Sequence, residues 1–176
     1  TCPHYLTLSH ETQDGYLAKV MPPIRTQNDI SSVWEAISKN QINTIGTDHV
    51  ANQLKLKTDG DSVWDALAGF PGVGTLLPIL LSEGINKNKI NLNQLVNLTS
   101  TNASKIFGLS GKGHLEVGYD ADITMIDLKK EAKVSPELFG GFSDYLVYDG
   151  WTLQVFRPFI FDPSISNPWA ILLIPH

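Results

Sequence analysis

The sequence predicts an α/β fold followed by a smaller β unit. Three observations carry this reading. Apolar, strand-like runs alternate with a helix-periodic segment across the first fifty residues. Helical segments then occupy much of 76–108. After Gly111 the pattern changes to short β-rich runs broken by Gly118 and Asp120. Strands separated by helices favour parallel pairing, because a parallel pair needs a long crossover between its strands.

Residues 1–8, TCPHYLTL, are rich in strand formers and predict a short buried strand, followed by a polar loop through Gly15. Met21-Pro22-Pro23 excludes helix and predicts an extended, rigid turn, since proline lacks an amide donor and also restricts the residue before it. Asn28 or Asp29 is placed to cap a helix in which Ile30, Val33, Trp34 and Ile37 recur at helical spacing. Ile42 to Ile45 form a brief apolar run that predicts a strand and leads directly into Gly46-Thr47-Asp48-His49.

Ala51 to Phe70 reads as a long loop with one amphipathic piece, Val63, Trp64 and Leu67. Loops of this length in compact domains are often functional. Gly69 to Gly74 is rich in turn residues and precedes a helix over Leu76 to Glu83, stopped by Gly84. A further helix runs from about Leu92 to Thr99, with Asn91 as its cap and Leu92, Leu95, Val96 and Leu98 as its apolar stripe. Asn102 is placed to cap a short helix ending at Gly108. Leu115, Val117, Ile123, Met125 and Ile126 lie in strand-like runs.

The expected organisation is an α/β portion over 1–110, a β portion over 111–154 and an atypical tail over 155–176. That tail carries prolines at 158, 163, 168 and 175 and no coherent period, which suggests a frameshifted end after about Gln154.

Composition narrows the function. Hydrophobic residues make up 42% and charged residues 18% of the 176, which is globular rather than disordered. A net charge of −5 argues against nucleic acid, whose phosphates require a basic face. There is no run of apolar residues long enough to span a membrane. The single cysteine, Cys2, cannot form an internal disulfide, and with no leader visible a cytoplasmic location is expected. An opening at Thr1 without an initiator Met suggests a chain that begins mid-protein.

Six phrases now line up in order: Thr1-Cys2-Pro3-His4-Tyr5-Leu6, Met21-Pro22-Pro23-Ile24-Arg25, Gly46-Thr47-Asp48-His49, Phe70-Pro71-Gly72-Val73, Thr101-Asn102-Ala103-Ser104-Lys105-Ile106-Phe107-Gly108, and Gly113-His114-Leu115-Glu116-Val117-Gly118-Tyr119-Asp120-Ala121-Asp122. Together they resemble the cyclic amidohydrolases, the group of dihydroorotases, dihydropyrimidinases (hydantoinases) and allantoinases, over roughly residues 1–151. The resemblance implies the C-terminal part of a TIM barrel, with residues 1–8 as its seventh strand and 42–47 as its eighth, followed by part of a small β-sandwich. A whole barrel needs about 250 residues, so the chain would hold only a portion of one.

The resemblance also implies one or two divalent metals, most often zinc, with most ligands outside this sequence. It makes Asp48 both a metal ligand and the catalytic base, standing just past a strand on the face where barrel enzymes place their chemistry. The implied reaction is hydrolysis of a C–N bond in a cyclic amide or imide. Asp48 takes a proton from the attacking water and passes it to the leaving nitrogen. Met21, Pro22 and Arg25 would lie on a substrate-side loop. Pro71 and Gly72 would line the pocket after strand eight, where glycine permits close backbone approach. His49 would fix the loop beside the metal. The whole protein is expected to be a homo-oligomer acting on a small cyclic substrate.

Some residues depart from the family's patterns. Val50-Ala51-Asn52 stands where some dihydroorotases continue Ala-Pro-His, which argues against carboxylate recognition of their type. Met21 is neither the Asn usual in dihydroorotases nor the small residue common in hydantoinases. His4 reads as a core histidine on a buried strand. Gly69 to Gly74 lacks the Gly-Lys-Ser/Thr ending of a phosphate loop. Gly118, Asp120 and Asp122 are read as turn residues. The competing functional reading is a non-catalytic homologue that kept the fold as a scaffold or assembly partner.

Overall fold

A computed structural model describes residues 1–11, 16–58, 60, 62–124, 126, 128–139 and 142–154. The expected tail, Met125 and the end of the loop at Gly15 lie outside these residues.

The chain opens with a helical turn, α1 (His4–Thr7), rather than the predicted strand. A segment this short fits either state by pattern alone. Here Pro3 adopts a helical φ of −56°, and the Leu8 amide donates to the His4 carbonyl at 2.9 Å. The main amphipathic helix, α2 (Gln27–Ser38), has the predicted apolar face, with Ile30, Trp34 and Ile37 buried. Its cap is Thr26, not Asn28 or Asp29. Thr26 accepts the Asp29 amide, and the Asp29 carboxylate reaches back to the Thr26 amide, closing a capping box. The acid three residues in thus serves the cap from inside the helix.

Between these helices and the next, residues 42–47 run extended, but no ladder is assigned to them among the described residues. Their backbone groups go elsewhere. The Ile45 amide donates to Leu98, the Gly46 amide to Thr1 at 2.9 Å, and the Thr1 amine to Thr44 at 3.1 Å. Thr1 bonding to both Thr44 and Gly46 is the pattern of a parallel pair, one residue long. A second parallel bridge joins His49 to Phe70. The parallel tendency is present, while the predicted strand needs neighbours along its whole length to become one.

The 51–70 stretch carries one helical turn, α3 (Lys55–Thr58), displaced from the amphipathic piece predicted within it. Trp64 is 85% exposed. The stretch is tied down by two ammonium groups. Lys19 donates to the carbonyls of Val63, Trp64 and Ala66, and the buried Lys57 donates to those of Lys19 and Leu67.

A 3₁₀ turn at Val73–Thr75 leads into α4 (Leu76–Ile79), which continues as π-helix over Leu80–Ile85. Gly84 does not stop this helix. It lies inside it, where a Cβ would meet Ile90 at 3.0 Å and Trp34 at 3.2 Å. The glycine is therefore a packing choice. The next helix begins as predicted at α5 (Leu92–Val96), capped by Asn91 with Gln94 completing a capping box. It runs without a break through a π segment, Asn97–Thr101, into α6 (Asn102–Phe107). Asn102 is therefore not a cap, and its amide donates instead to the Asn43 carbonyl at 2.9 Å. Gly108 ends the helix in the left-handed region at φ 64°, as glycine there should.

After Gly111 the predicted strands at Leu115, Val117, Ile123 and Ile126 are absent among the described residues, and Val117 is fully exposed. The sheet forms further on. Strand β1 (Glu131–Lys133) pairs antiparallel with β2 (Thr152–Gln154), with Ala132 opposite Leu153, and a short helix, α7 (Pro136–Phe139), lies between them. Around Gly118 a turn takes the place of the strand, with the Tyr119 amide donating to the Glu116 carbonyl at 3.1 Å.

Two apolar clusters hold the chain together. One gathers Leu6, Ile30, Trp34, Leu80, Leu81 and Leu95 between α1, α2 and the two long helices. Inside it the Trp34 indole donates to the Leu6 carbonyl at 2.9 Å, so the ring is buried without an orphaned donor. The other packs Leu8, Val20, Phe70 and Ile79 against Val134, Tyr148 and Leu153. The end of the described chain thus packs against its beginning. Both clusters flank the loop that carries Asp48.

Candidate functional site

Asp48 sits at the end of the extended 42–47 segment with φ 49°, in the left-handed region that Asp and Asn tolerate better than bulkier residues. Its side chain is 46% exposed. The next residue holds the loop. His49 Nδ1 accepts the amides of Gly72 at 3.0 Å and Val73 at 3.3 Å, which places the ring proton on Nε2. The Val50 amide also donates to the Phe70 carbonyl at 3.1 Å. A Cβ on Gly72 would come within 3.3 Å of the Thr47 carbonyl, so glycine lets the two loops close on one another.

Facing Asp48 is α1. The Nε2 of His4 lies 3.8 Å from the Asp48 carboxylate, too far for a hydrogen bond, and is buried with no partner. Burial pushes the His4 pKa down to about 4, against the opposing pull of the Asp48 charge, so the imidazole is neutral at pH 7. The contact is therefore not an ion pair at that pH. The ring is gripped on two sides, edge to face, by Tyr5 at 4.2 Å and Phe70 at 5.1 Å. The expectation of a core histidine holds for its burial, but the residue stands on a helical turn rather than a strand. Cys2 completes the group: its Sγ, a ring nitrogen of His4 and an Asp48 oxygen all lie within 4.8 Å of one another. Burial, then the Asp48 charge, raise the Cys2 thiol pKa against the lowering effect of the terminal amine. The thiol is accordingly a poor nucleophile in this state.

The remaining candidates divide between two places. Pro71 and Gly72 are buried directly behind His49. Pro22 and Arg25 line a cavity of about 290 Å³ with Thr1, Tyr5 and Pro23. Met21 is 70% exposed, and its peptide bond to Pro22 is cis. Tyr5 links the two places, since its ring packs on His4 and its hydroxyl donates to the Pro22 carbonyl at 2.6 Å. Arg25 contributes its carbonyl, which accepts the His10 amide at 2.9 Å.

Sequence reasoning passed over Cys2 and His4 as site residues. The signal available was the Cys-Pro-His spacing, which puts both side chains at the mouth of one helical turn.

Comparison with known proteins gives the family. The profile of the amidohydrolase family matches residues 20–152, and the chain belongs to that family. It is 39% identical to a dihydroorotase of Methanosphaera stadtmanae over 77% of this chain and 30% of that protein. It is 34% identical to an L-hydantoinase of Paenarthrobacter aurescens over 84% of this chain and 33% of that one. Among solved structures, the L-hydantoinase (dihydropyrimidinase) from Arthrobacter aurescens superimposes with a TM-score of 0.83 at 33% identity, covering 88% of this chain and 35% of the other. The chain thus spans about a third of the length of the curated relatives it matches. Among the described residues no helix is long and apolar enough to cross a membrane.

Proposed function

We propose that the protein of which this sequence forms part hydrolyses a C–N bond in a small cyclic amide or imide, with Asp48 as the proton-transfer group. The observation that supports this best is the Asp48 carboxylate itself. It is half-exposed at the end of an extended segment, on a loop clamped by His49, and no hydrogen bond within the described chain engages it. In this reading residues 42–47 are the last strand of a TIM barrel and Asp48 lies at its catalytic mouth.

The donor chemistry suits a divalent cation. The Asp48 carboxylate is half-exposed, no hydrogen bond among the described residues engages it, and carboxylate oxygen is an accepted ligand of zinc. Asp48 would hold such an ion together with ligands from elsewhere in the protein. When bound, the metal supplies Lewis-acid polarisation of the ring carbonyl and lowers the pKa of water to near neutrality.

The chain's own residues do the rest. Asp48 accepts the proton of the attacking water and returns it to the departing nitrogen. His49 keeps Asp48 in register by holding the Gly72–Val73 turn. The cavity lined by Pro22 and Arg25, with Leu8, Ile30 and Val33 on its apolar side, would receive the ring of a cyclic amide, with Tyr5 bracing the Pro22 carbonyl. Substrates to assay are dihydroorotate, dihydropyrimidines, hydantoins and allantoin, which follow the names of the relatives.

The experiment is Asp48→Ala in the full-length protein, assayed against this panel. Turnover should be lost while the circular dichroism spectrum stays unchanged. Wild-type rates in the variant would defeat the assignment.

A further inference from the structure

We propose that Cys2, His4 and Asp48 together form a three-donor site for a soft divalent cation of the zinc class. The proposal rests on where the donors stand. A thiol, an imidazole nitrogen and a carboxylate oxygen from two segments more than forty residues apart converge within 4.8 Å. One of the three residues, His4, is 98% buried by its 2% exposure, with its Nε2 unpartnered and facing Asp48. A buried ring nitrogen without a hydrogen bond is unusual and asks for an explanation. A cation seated between His4 and Asp48 would satisfy it.

The stereochemistry is within reach. Zinc binds sulfur at about 2.3 Å and nitrogen or oxygen at about 2.0–2.2 Å, so tetrahedral ligands stand roughly 3.3–3.7 Å apart. The 3.8 Å between His4 Nε2 and Asp48 is already close to this. The remaining contraction falls on Cys2, which is only partly buried, and on the half-exposed Asp48 side chain. His4 is held by Tyr5 and Phe70 and serves as the fixed ligand. The exposed side of Asp48 leaves a fourth position open to water.

The charges also balance. As the sulfur–metal bond forms, the thiol proton leaves to solvent, and thiolate plus carboxylate neutralise the dication with no net charge left buried. Such a cation engages the same carboxylate that the hydrolytic reading gives to proton transfer, so occupancy here would compete with that role. The site stands on its donors alone, and a chain that turns over no cyclic amide would still be expected to bind.

The sole cysteine makes the test direct, because a thiolate-to-cadmium charge-transfer band can come only from Cys2. The 176-residue chain is titrated with cadmium in the absence of substrate. The expected result is a saturable one-to-one ultraviolet band, abolished in Cys2→Ser and weakened at least tenfold in affinity in Asp48→Asn and His4→Gln. Asp48→Asn is the decisive variant, because Asn accepts the same left-handed backbone and leaves the fold undisturbed. Unchanged cadmium affinity in Asp48→Asn would show that the carboxylate is no ligand and overturn the site. So would the absence of any saturable band in the folded wild-type chain.

Discussion

The ring of His49 receives the backbone amide of Gly72 at 3.0 Å, across twenty-three residues of sequence. The bond joins the loop carrying Asp48 to the turn that opens α4. It is a hydrogen bond to a buried amide, so its loss should be felt in stability as well as in the geometry around Asp48.

His49→Ala leaves the Gly72 amide buried without an acceptor, while the Val73 amide can turn to water because Val73 is exposed. The expected loss is about 1–2 kcal/mol, the usual cost of one orphaned buried donor. Urea denaturation measures it. Identical midpoints for wild type and variant would show that the clamp contributes nothing.

Gly84→Ala sets two effects against each other. Alanine is favoured over glycine in a helix by about 1 kcal/mol. The added methyl would meet Ile90 and Trp34, both buried and with little room to retreat. Overpacking of this kind costs about 1–3 kcal/mol, so the variant should be net destabilised. A raised melting temperature would mean that the neighbours yield and that propensity wins.

Lys57 gives a pH signature. Burial pushes its ammonium down to about 8 from the ordinary 10.5, with the nearby Lys19 charge adding to the effect. Below pH 8 folded and unfolded chains both carry the proton. Between 8 and 10.5 the unfolded chain binds it more fully, so this group's contribution to stability rises with pH across that window. Lys57→Met lacks the term. The difference in stability between wild type and variant should therefore shift toward wild type from pH 8 to 10, read by denaturant melts at matched pH. Parallel pH profiles would show that the charge is not desolvated as its position implies.

The Asp48→Ala assay described above completes the set. Taken with the Asp48→Asn cadmium titration, it separates proton transfer from ion holding, because one is read by turnover and the other by a band that needs no substrate.

Local chemistry was legible wherever neighbours in sequence decide it. The apolar period of α2, the Asn91 cap with Gln94 in support, the left-handed stop at Gly108 and the ordered family phrases could all be read from residue types and spacing, because a helix satisfies its backbone from within and its signals lie a few residues apart. The predicted cap falls two or three residues past Thr26 for an equally local reason, since Asp29 serves the same capping box from the inner side.

What the order of residues left undecided depends on distant partners. TCPHYLTL reads as a strand by residue type yet forms a helical turn, and the packing of Leu6 and Leu8 into two different clusters goes with that turn. The extended 42–47 segment becomes a strand only where another chain segment lies along it. Gly84 looked like a terminator and is a contact surface. Most of all, Cys2 and His4 stand forty-four or more residues from Asp48 in sequence, and no spacing rule links them. Only the folding of α1 against the loop after residue 47 brings a thiol, an imidazole and a carboxylate together. The electrostatics of that site follow from desolvation, which is a property of the packed core and not of any one residue.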